Sequence, residues 1–127
     1  MTVLDAHGLT AGFWSAAARR ELVRPVCRDC GRSFFTPQVA CPGCLSEDWT
    51  YEVSSGRGRV YSATTVHKAP SPEFTAPFAV GIVDLDEGWS MLAGLVGDPR
   101  PAIGAAVEVT WVAHGGRLVP AFREVGP

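Results

Sequence analysis

This 127-residue sequence contains one lysine, Lys68, and four cysteines, and each scarcity excludes something. Eleven Lys and Arg stand against thirteen Asp and Glu, a net charge of −2, so no basic field exists to gather phosphate backbones or an anionic lipid surface. Long hydrophobic runs are missing too. The longest uncharged tract of the second half is interrupted at Gly81 and followed by Asp84, far short of a membrane span. The stretch Met1-Thr2-Val3-Leu4-Asp5-Ala6-His7 has no basic segment leading into an apolar one and does not read as a secretory signal, so a cytoplasmic, soluble protein is expected. No internal repeat or low-complexity segment appears, and the length fits one compact unit or two very small ones.

The four cysteines occur as Cys27-Arg28-Asp29-Cys30 and Cys41-Pro42-Gly43-Cys44. Two C-x-x-C units ten residues apart let two tight turns face each other across one tetrahedral cation. Gly31 and Gly43 supply positive-φ or close-approach freedom for such turns, and Pro42 stiffens the second. Two disulfides would need an oxidising compartment, and a redox dithiol is usually a lone pair at a helix start. A structural zinc site on Cys27, Cys30, Cys41 and Cys44 is therefore expected, with rubredoxin-like iron as the alternative because the same thiolate set accepts it. Four protein ligands leave no open position for catalysis.

Around that segment the pattern sets out the remaining elements. Thr10 can cap a short helix over residues 11–20, rich in alanine at 16–18 and too short to stand alone. Residues 22–24 and 33–35 read as short strands beside the first turn, and 49–53 as the strand leaving the second. From residue 56 onward the chain is all strands. Val60, Ser62, Thr64 and Val66 alternate with Tyr61, Ala63, Thr65 and His67, a half-buried period of two. A Pro-rich loop over residues 69–77 follows, then a hairpin of 78–85 and 89–96 turned at Asp86-Glu87-Gly88. Val107, Val109 and Trp111 share a face of a fourth strand, and His114-Gly115-Gly116-Arg117 turns into a fifth over 118–122. Five strands in about seventy residues point to a small closed barrel of the OB type, here without the helix that usually joins its third and fourth strands. The fold expected is mainly β: an N-terminal helical segment (1–22), a rubredoxin-like zinc ribbon (23–55) and a five-stranded OB-fold domain (56–127).

The order of these motifs resembles a known family. A helix bearing Phe13-Trp14, a C-x-x-C-G ribbon closing with C-P-x-C, then Gly56-Arg57-Gly58-Arg59-Val60-Tyr61-Ser62, Pro77-Phe78-Ala79-Val80, Asp86-Glu87-Gly88 and Ile103-Gly104 are similar to the acyl-CoA-associated zinc-ribbon/OB-fold proteins, a former domain of unknown function. The resemblance covers nearly the whole chain. It implies a non-catalytic accessory subunit, bearing a structural zinc, of a thiolase-like enzyme: a thiolase or a retro-aldolase acting in lipid or steroid side-chain degradation. The partner would be a thiolase-like or lipid-transfer-type thiolase in a hetero-oligomer, with acyl-CoA at the shared interface. A single-stranded nucleic-acid-binding module is the second reading, because zinc ribbons and OB barrels often bind strands. The acidic balance and the short Gly115-Gly116 turn speak against it. An independent enzyme is a third.

Several residues carry a sharp and a plain reading. Adjacent Phe13 and Trp14 exceed what one face of a short helix buries, which makes them candidate partner contacts. Arg57 and Arg59 beside the Gly-rich turn, and His67 with Lys68 at a strand end, could meet a CoA phosphate; solvated side chains are the commoner state of such residues. Asp84, Asp86 and Glu87 could imitate paired catalytic carboxylates, but a hairpin tip is where solvated charges belong. Trp89 and Trp111 are expected to pack in the core or at the barrel rim.

Overall fold

A computed structural model of the chain describes residues 9–68, 77–97 and 99–125. One helix, α1 (Ala11–Ala18), precedes seven strands: β1 (Val23–Cys27), β2 (Trp49–Val53), β3 (Arg57–Val66), β4 (Phe78–Leu85), β5 (Trp89–Val96), β6 (Ala106–His114) and β7 (Arg117–Glu124). Strands β1 and β2 form a two-stranded antiparallel ribbon in the register Val23↔Val53 to Cys27↔Trp49. The other five close a barrel in the order β3-β4-β5-β7-β6, antiparallel except where β5 runs parallel to β7. The β4–β5 hairpin occupies the residues its sequence pattern marks out, and the described residues between β5 and β6 hold no helix. Expectations for residues 1–7 and for most of the Pro-rich loop lie outside the described residues.

Period-two burial explains the barrel. Ala79, Val83 and Leu85 of β4 and Trp89, Met91, Ala93 and Leu95 of β5 point inward, where they meet Val60, Val107 and Phe122. Trp111 packs half-buried against the same cluster. Two glycines set the entrance to β3. Gly56, at φ +75°, has its carbonyl bonded by the Val109 amide at 2.7 Å, and a Cβ there would lie 2.4 Å from Val109 Cγ1. At Gly58 a Cβ would stand 2.1 Å from the Asp84 carbonyl oxygen, so only glycine lets β3 press against β4.

Three expectations are corrected by this packing. Thr10 occupies the N-cap position of α1 in a helical conformation and makes no side-chain cap bond. The alternation in β3 does not keep one face throughout: the register with β4 slips between Val60 and Ser62, a bulge at Tyr61, and Ala63, Thr64 and Thr65 beyond it are all exposed. Phe13 is not left over by a helix with too little to cover it. Ala16 and Ala17 are small enough for α1 to sit close on the body, and Phe13, 5% exposed, enters the main core against Phe35 with ring centroids 5.5 Å apart. Trp14 remains half-buried, edge-on to Phe13 at 5.1 Å and with the Arg117 guanidinium over its ring at 5.0 Å.

Ribbon and barrel are joined through a carboxylate. Ser54, a buried polar residue where the ribbon strand ends, donates its hydroxyl to Glu87 Oε1 at 2.5 Å, and the Ser55 amide donates to Oε2 at 2.8 Å. Glu87 is thus a clasp rather than a purely solvated turn charge, whereas Asp84 takes the Ser90 hydroxyl at 2.6 Å. Burial alone would raise the Glu87 pKa, but the Ser54 hydroxyl and Ser55 amide outweigh it and hold the carboxyl at about 2, below its ordinary 4.5. A depressed folded-state value stabilises the fold fully above the unfolded pKa and ceases to do so as pH falls through the folded one. Glu87→Gln should therefore lower stability by about 1 kcal/mol at neutral pH, a figure set below the usual contribution of charged hydrogen bonds because the site is partly solvated. The difference from wild type should shrink between pH 4.5 and about 2, measured by denaturant unfolding of both proteins at each pH.

Candidate metal centre

The last residue of β1 is itself Cys27, so the ribbon strand delivers the first sulfur. Each knuckle then closes with the same backbone bond: the Gly31 amide to the Cys27 carbonyl at 3.0 Å and the Leu45 amide to the Cys41 carbonyl at 2.9 Å. Both closing residues are left-handed, Gly31 at φ +79° and Leu45 at φ +66°. Gly31 meets the requirement by lacking a Cβ, while Leu45 adopts a conformation that costs a side chain about 1 kcal/mol or more. Gly43 is different. A Cβ there would lie 2.3 Å from Nε of the exposed Arg32 side chain, which can swing aside, so the backbone itself does not demand glycine at this position. The knuckles are tied together by the Ser46 hydroxyl donating to the Asp29 carboxylate and by the Arg28 amide donating to the Asp48 carbonyl at 2.8 Å.

All four Sγ atoms lie within 4.8 Å of one another. Cys27 and Cys44 sulfurs are 3.5 Å apart and those of Cys30 and Cys41 3.7 Å, close to the edge of about 3.8 Å in a tetrahedron with ~2.3 Å Zn–S bonds. None of the four forms a disulfide. Amides aim at the sulfurs, Cys30 N–H at Cys27 Sγ (3.5 Å) and Gly43 N–H at Cys41 Sγ (3.3 Å). The Cys30 amide leads the effects that bring the Cys27 thiol down to about 7 against the opposing effect of burial. The Ser46 amide favours the Cys44 thiolate, but the sulfurs of Cys27, Cys30 and Cys41, together with burial, push that thiol up to about 12. Four thiolates so close cannot all be charged unless a cation compensates them. Charge, spacing and amide donors together fit a tetrahedral thiolate-bound metal, whose chemistry when bound is to crosslink two turns that lack an apolar core. Among the described residues, its apolar backing is a small cluster of Cys27, Cys41, Phe34 and half-buried Trp49, the two rings meeting edge to face at 5.7 Å.

Other candidate residues are not drawn together. Arg57 and Arg59 open β3, and His67 and Lys68 follow its far end, ten residues on and roughly 30 Å away at strand rise. Arg59 donates to the Gly104 carbonyl at 3.1 Å. The four side chains do not form one CoA-phosphate cradle. Phe13 lies in the interior and Trp14 at the surface of the helix, beside a cavity of about 520 Å³ lined by Ala11, Ser15, Ala18 and Arg117 among others. Leu45 and Glu87 carry work that the sequence reading did not assign to them; a residue following C-x-x-C in the place glycine holds in the first knuckle was the available signal for Leu45.

With this geometry in hand, comparison with known proteins is specific. Residues 14–50 match the family model described as ChsH2, rubredoxin-like zinc ribbon domain, and residues 51–112 the model described as ChsH2, C-terminal OB-fold domain. A probable enoyl-CoA hydratase alpha subunit of Thermomonospora curvata is 36% identical over 119 residues, 91% of this chain and 37% of that protein. A DUF35 domain-containing scaffold protein of Methanocaldococcus jannaschii is 34% identical over 90 residues, 67% of this chain and 63% of that one. The chain thus spans a little over a third of the hydratase subunit and under two thirds of the scaffold protein. Among solved structures, a chain of the Ltp2-ChsH2(DUF35) aldolase superposes with a TM-score of 0.81 at 34% identity, covering 91% of this chain and 93% of that one.

The thiolate geometry predicts that elemental analysis of purified, folded protein finds about one metal ion per chain. Cys41→Ser, which removes a fully buried ligand, should lose the metal and loosen the ribbon, seen as accelerated proteolysis between residues 27 and 49. Folded wild-type protein free of zinc and iron would remove the metal centre.

Proposed function

The chain belongs to the ChsH2 family of zinc-ribbon/OB-fold proteins, and on that premise we propose that it is a non-catalytic accessory subunit of a thiolase-like acyl-CoA enzyme, with zinc as its metal. The observation that carries this reading is the close superposition, over almost the full solved chain, on a chain of the Ltp2-ChsH2(DUF35) aldolase. Zinc is preferred to iron because a closed four-thiolate site whose task is structural needs no redox chemistry. The reaction of the assembly would be carbon–carbon bond cleavage or formation on an acyl-CoA, with a lipid or steroid side chain as the class the family resemblance implies. Cysteines fully committed to a metal cannot act as the thiolase nucleophile, so the reacting groups would belong to the partner.

Trp14 is the aromatic that α1 offers to such a partner. Its ring is half-buried, and its Nε1 is buried without a hydrogen-bond partner among the described residues. Phe13 would act from beneath by holding α1 on the body. Acyl-CoA would reach this chain through one pair of side chains, Arg57 with Arg59 or His67 with Lys68, since the two pairs lie at opposite ends of β3.

Co-expression with the thiolase-like enzymes of the same genome, followed by size-exclusion chromatography, tests the reading directly: one stable hetero-oligomer is expected, and none would end it. Metal-loaded chain alone should show no hydrolysis, hydration or cleavage of CoA esters; robust turnover without a partner would make it an enzyme in its own right. Trp14→Ala should weaken the complex by about 2 kcal/mol, roughly thirtyfold by calorimetric titration, with metal content unchanged. Phe13→Ala should instead destabilise the isolated chain, by about 3 kcal/mol or more, because it empties a core position.

A further inference from the structure

Strand β3 outruns its neighbour. It pairs with β4 from Gly58 to Val66, but with β6 only at Arg57, Gly58 and Arg59. The loop before β6 extends that second edge by one residue, through the Val60 amide to the Ala105 carbonyl (3.1 Å) and the Gly104 amide to the Val60 carbonyl (2.8 Å). From residue 61 to 66 no backbone hydrogen bond is made on that side among the described residues. In an antiparallel pair alternate residues turn their N–H and C=O away from the partner, so about half of this segment presents open donors and acceptors.

An open edge is normally blunted by lysine, proline or an inward-pointing charge. The segment Tyr61-Ser62-Ala63-Thr64-Thr65-Val66 has none of these and is rich in β-forming residues; the bulge at Tyr61, another blunting device, affects only its start, and residues 62–66 pair with β4 in regular register beyond it. Beside it lies exposed apolar surface. Tyr61 and Ile103 are each 66% exposed, and the Gly104–Val60 bond brings Ile103 next to Tyr61. Ile82, in register with Ser62, and Leu92, in register with Ile82, carry the patch across the outer face of the sheet. We infer that the β3 edge over residues 61–66 accepts an extended segment of the partner enzyme as an added strand, whose apolar side chains on one face rest on Tyr61, Ile82, Leu92 and Ile103.

Backbone hydrogen bonds would supply much of the affinity of such an addition, and the patch its specificity. The flanking charges choose the occupant. Cations bound the segment at both ends, Arg59 before it and Lys68 after it. Asp84 faces Arg59 across the β3–β4 pairing, which leaves the Lys68 end the more positive. An incoming strand with a carboxylate at that end is complementary. Two copies of this chain pairing antiparallel about a two-fold axis would set Lys68 of one near Arg59 of the other, like charge against like, so self-pairing is disfavoured. The inference rests on the accessory-subunit reading and adds the place and manner of contact.

Amide hydrogen exchange on the wild-type chain, alone and in its purified complex with the thiolase-like enzyme, tests it. Outward amides of residues 61–66 should exchange rapidly in the isolated chain at every concentration and at least tenfold more slowly in the complex. Ala63→Pro and Thr64→Pro form a companion pair, because adjacent strand residues donate to opposite sides. The one that removes an outward N–H should weaken binding tenfold or more while metal content and the thermal midpoint hold. Unchanged exchange at 61–66 in a complex that forms would overturn the strand addition and leave the accessory role standing. Protection already present in the isolated chain would mean that the edge is covered by the chain itself, or by a second copy if protection grows with concentration, and either result ends the proposal. No complex at all would end both.

Discussion

Four sulfurs within 4.8 Å of one another are the constraint on which the first half of this molecule depends. The ribbon has two five-residue strands, and behind its knuckles it buries little beyond Phe34 and part of Trp49, far less apolar surface than the ordering of some thirty residues costs. A cation among the thiolates would supply what is missing, since ligand binding and folding of such a loop are one process. Everything attached to the ribbon inherits its order. α1 rests partly on β1, and Phe13 meets Phe35, which stands just beyond the first knuckle and packs on Trp89 of the barrel at 5.4 Å.

Ribbon and barrel are consequently not two beads on a string. One apolar cluster runs from Phe13, Leu22 and Val23 to Trp89, Leu95 and Phe122, and the Ser54–Glu87 clasp locks its polar margin. A hairpin tip would ordinarily be the most dispensable part of a barrel. Here the tip of β4–β5 carries the carboxylate that receives the chain as it leaves the ribbon, so the shape of a surface turn decides how two substructures meet.

The parts of this arrangement legible in the sequence were those fixed by local chemistry. C-x-x-C spacing is a statement about one turn, and Asp86-Glu87-Gly88 between two alternating runs is a statement about one hairpin; both need only neighbours in the chain. What could not be read depended on distant partners. Tyr61 bulges because β3 must satisfy β4 on one side and the segment before β6 on the other, and nothing in its alternation announces that. Phe13 looked surplus to a short helix because the surfaces covering it, Phe35 and the barrel core, come from later in the chain. Glu87 looked solvated because its partner Ser54 lies 33 residues away. Leu45 is a different case, a local strain tolerated because knuckle closure requires the conformation whichever residue is present.

The parallel pairing of β5 with β7, through Gly94↔Ala121 to Val96↔Arg123, has a consequence for the order in which the molecule can be made. During synthesis the ribbon is complete once β2 has emerged, and it can take its metal while the barrel strands are still unborn. The meander β3-β4-β5 follows as neighbouring hairpin pairings. Barrel closure must wait, because β7 alone bridges β5 and β6, and until it arrives the nascent sheet has two open edges and an unroofed apolar face. A ribbon already crosslinked by a metal and docked at one end of that face would shorten the search, so a bound metal would set the timing of folding as well as brace the finished protein.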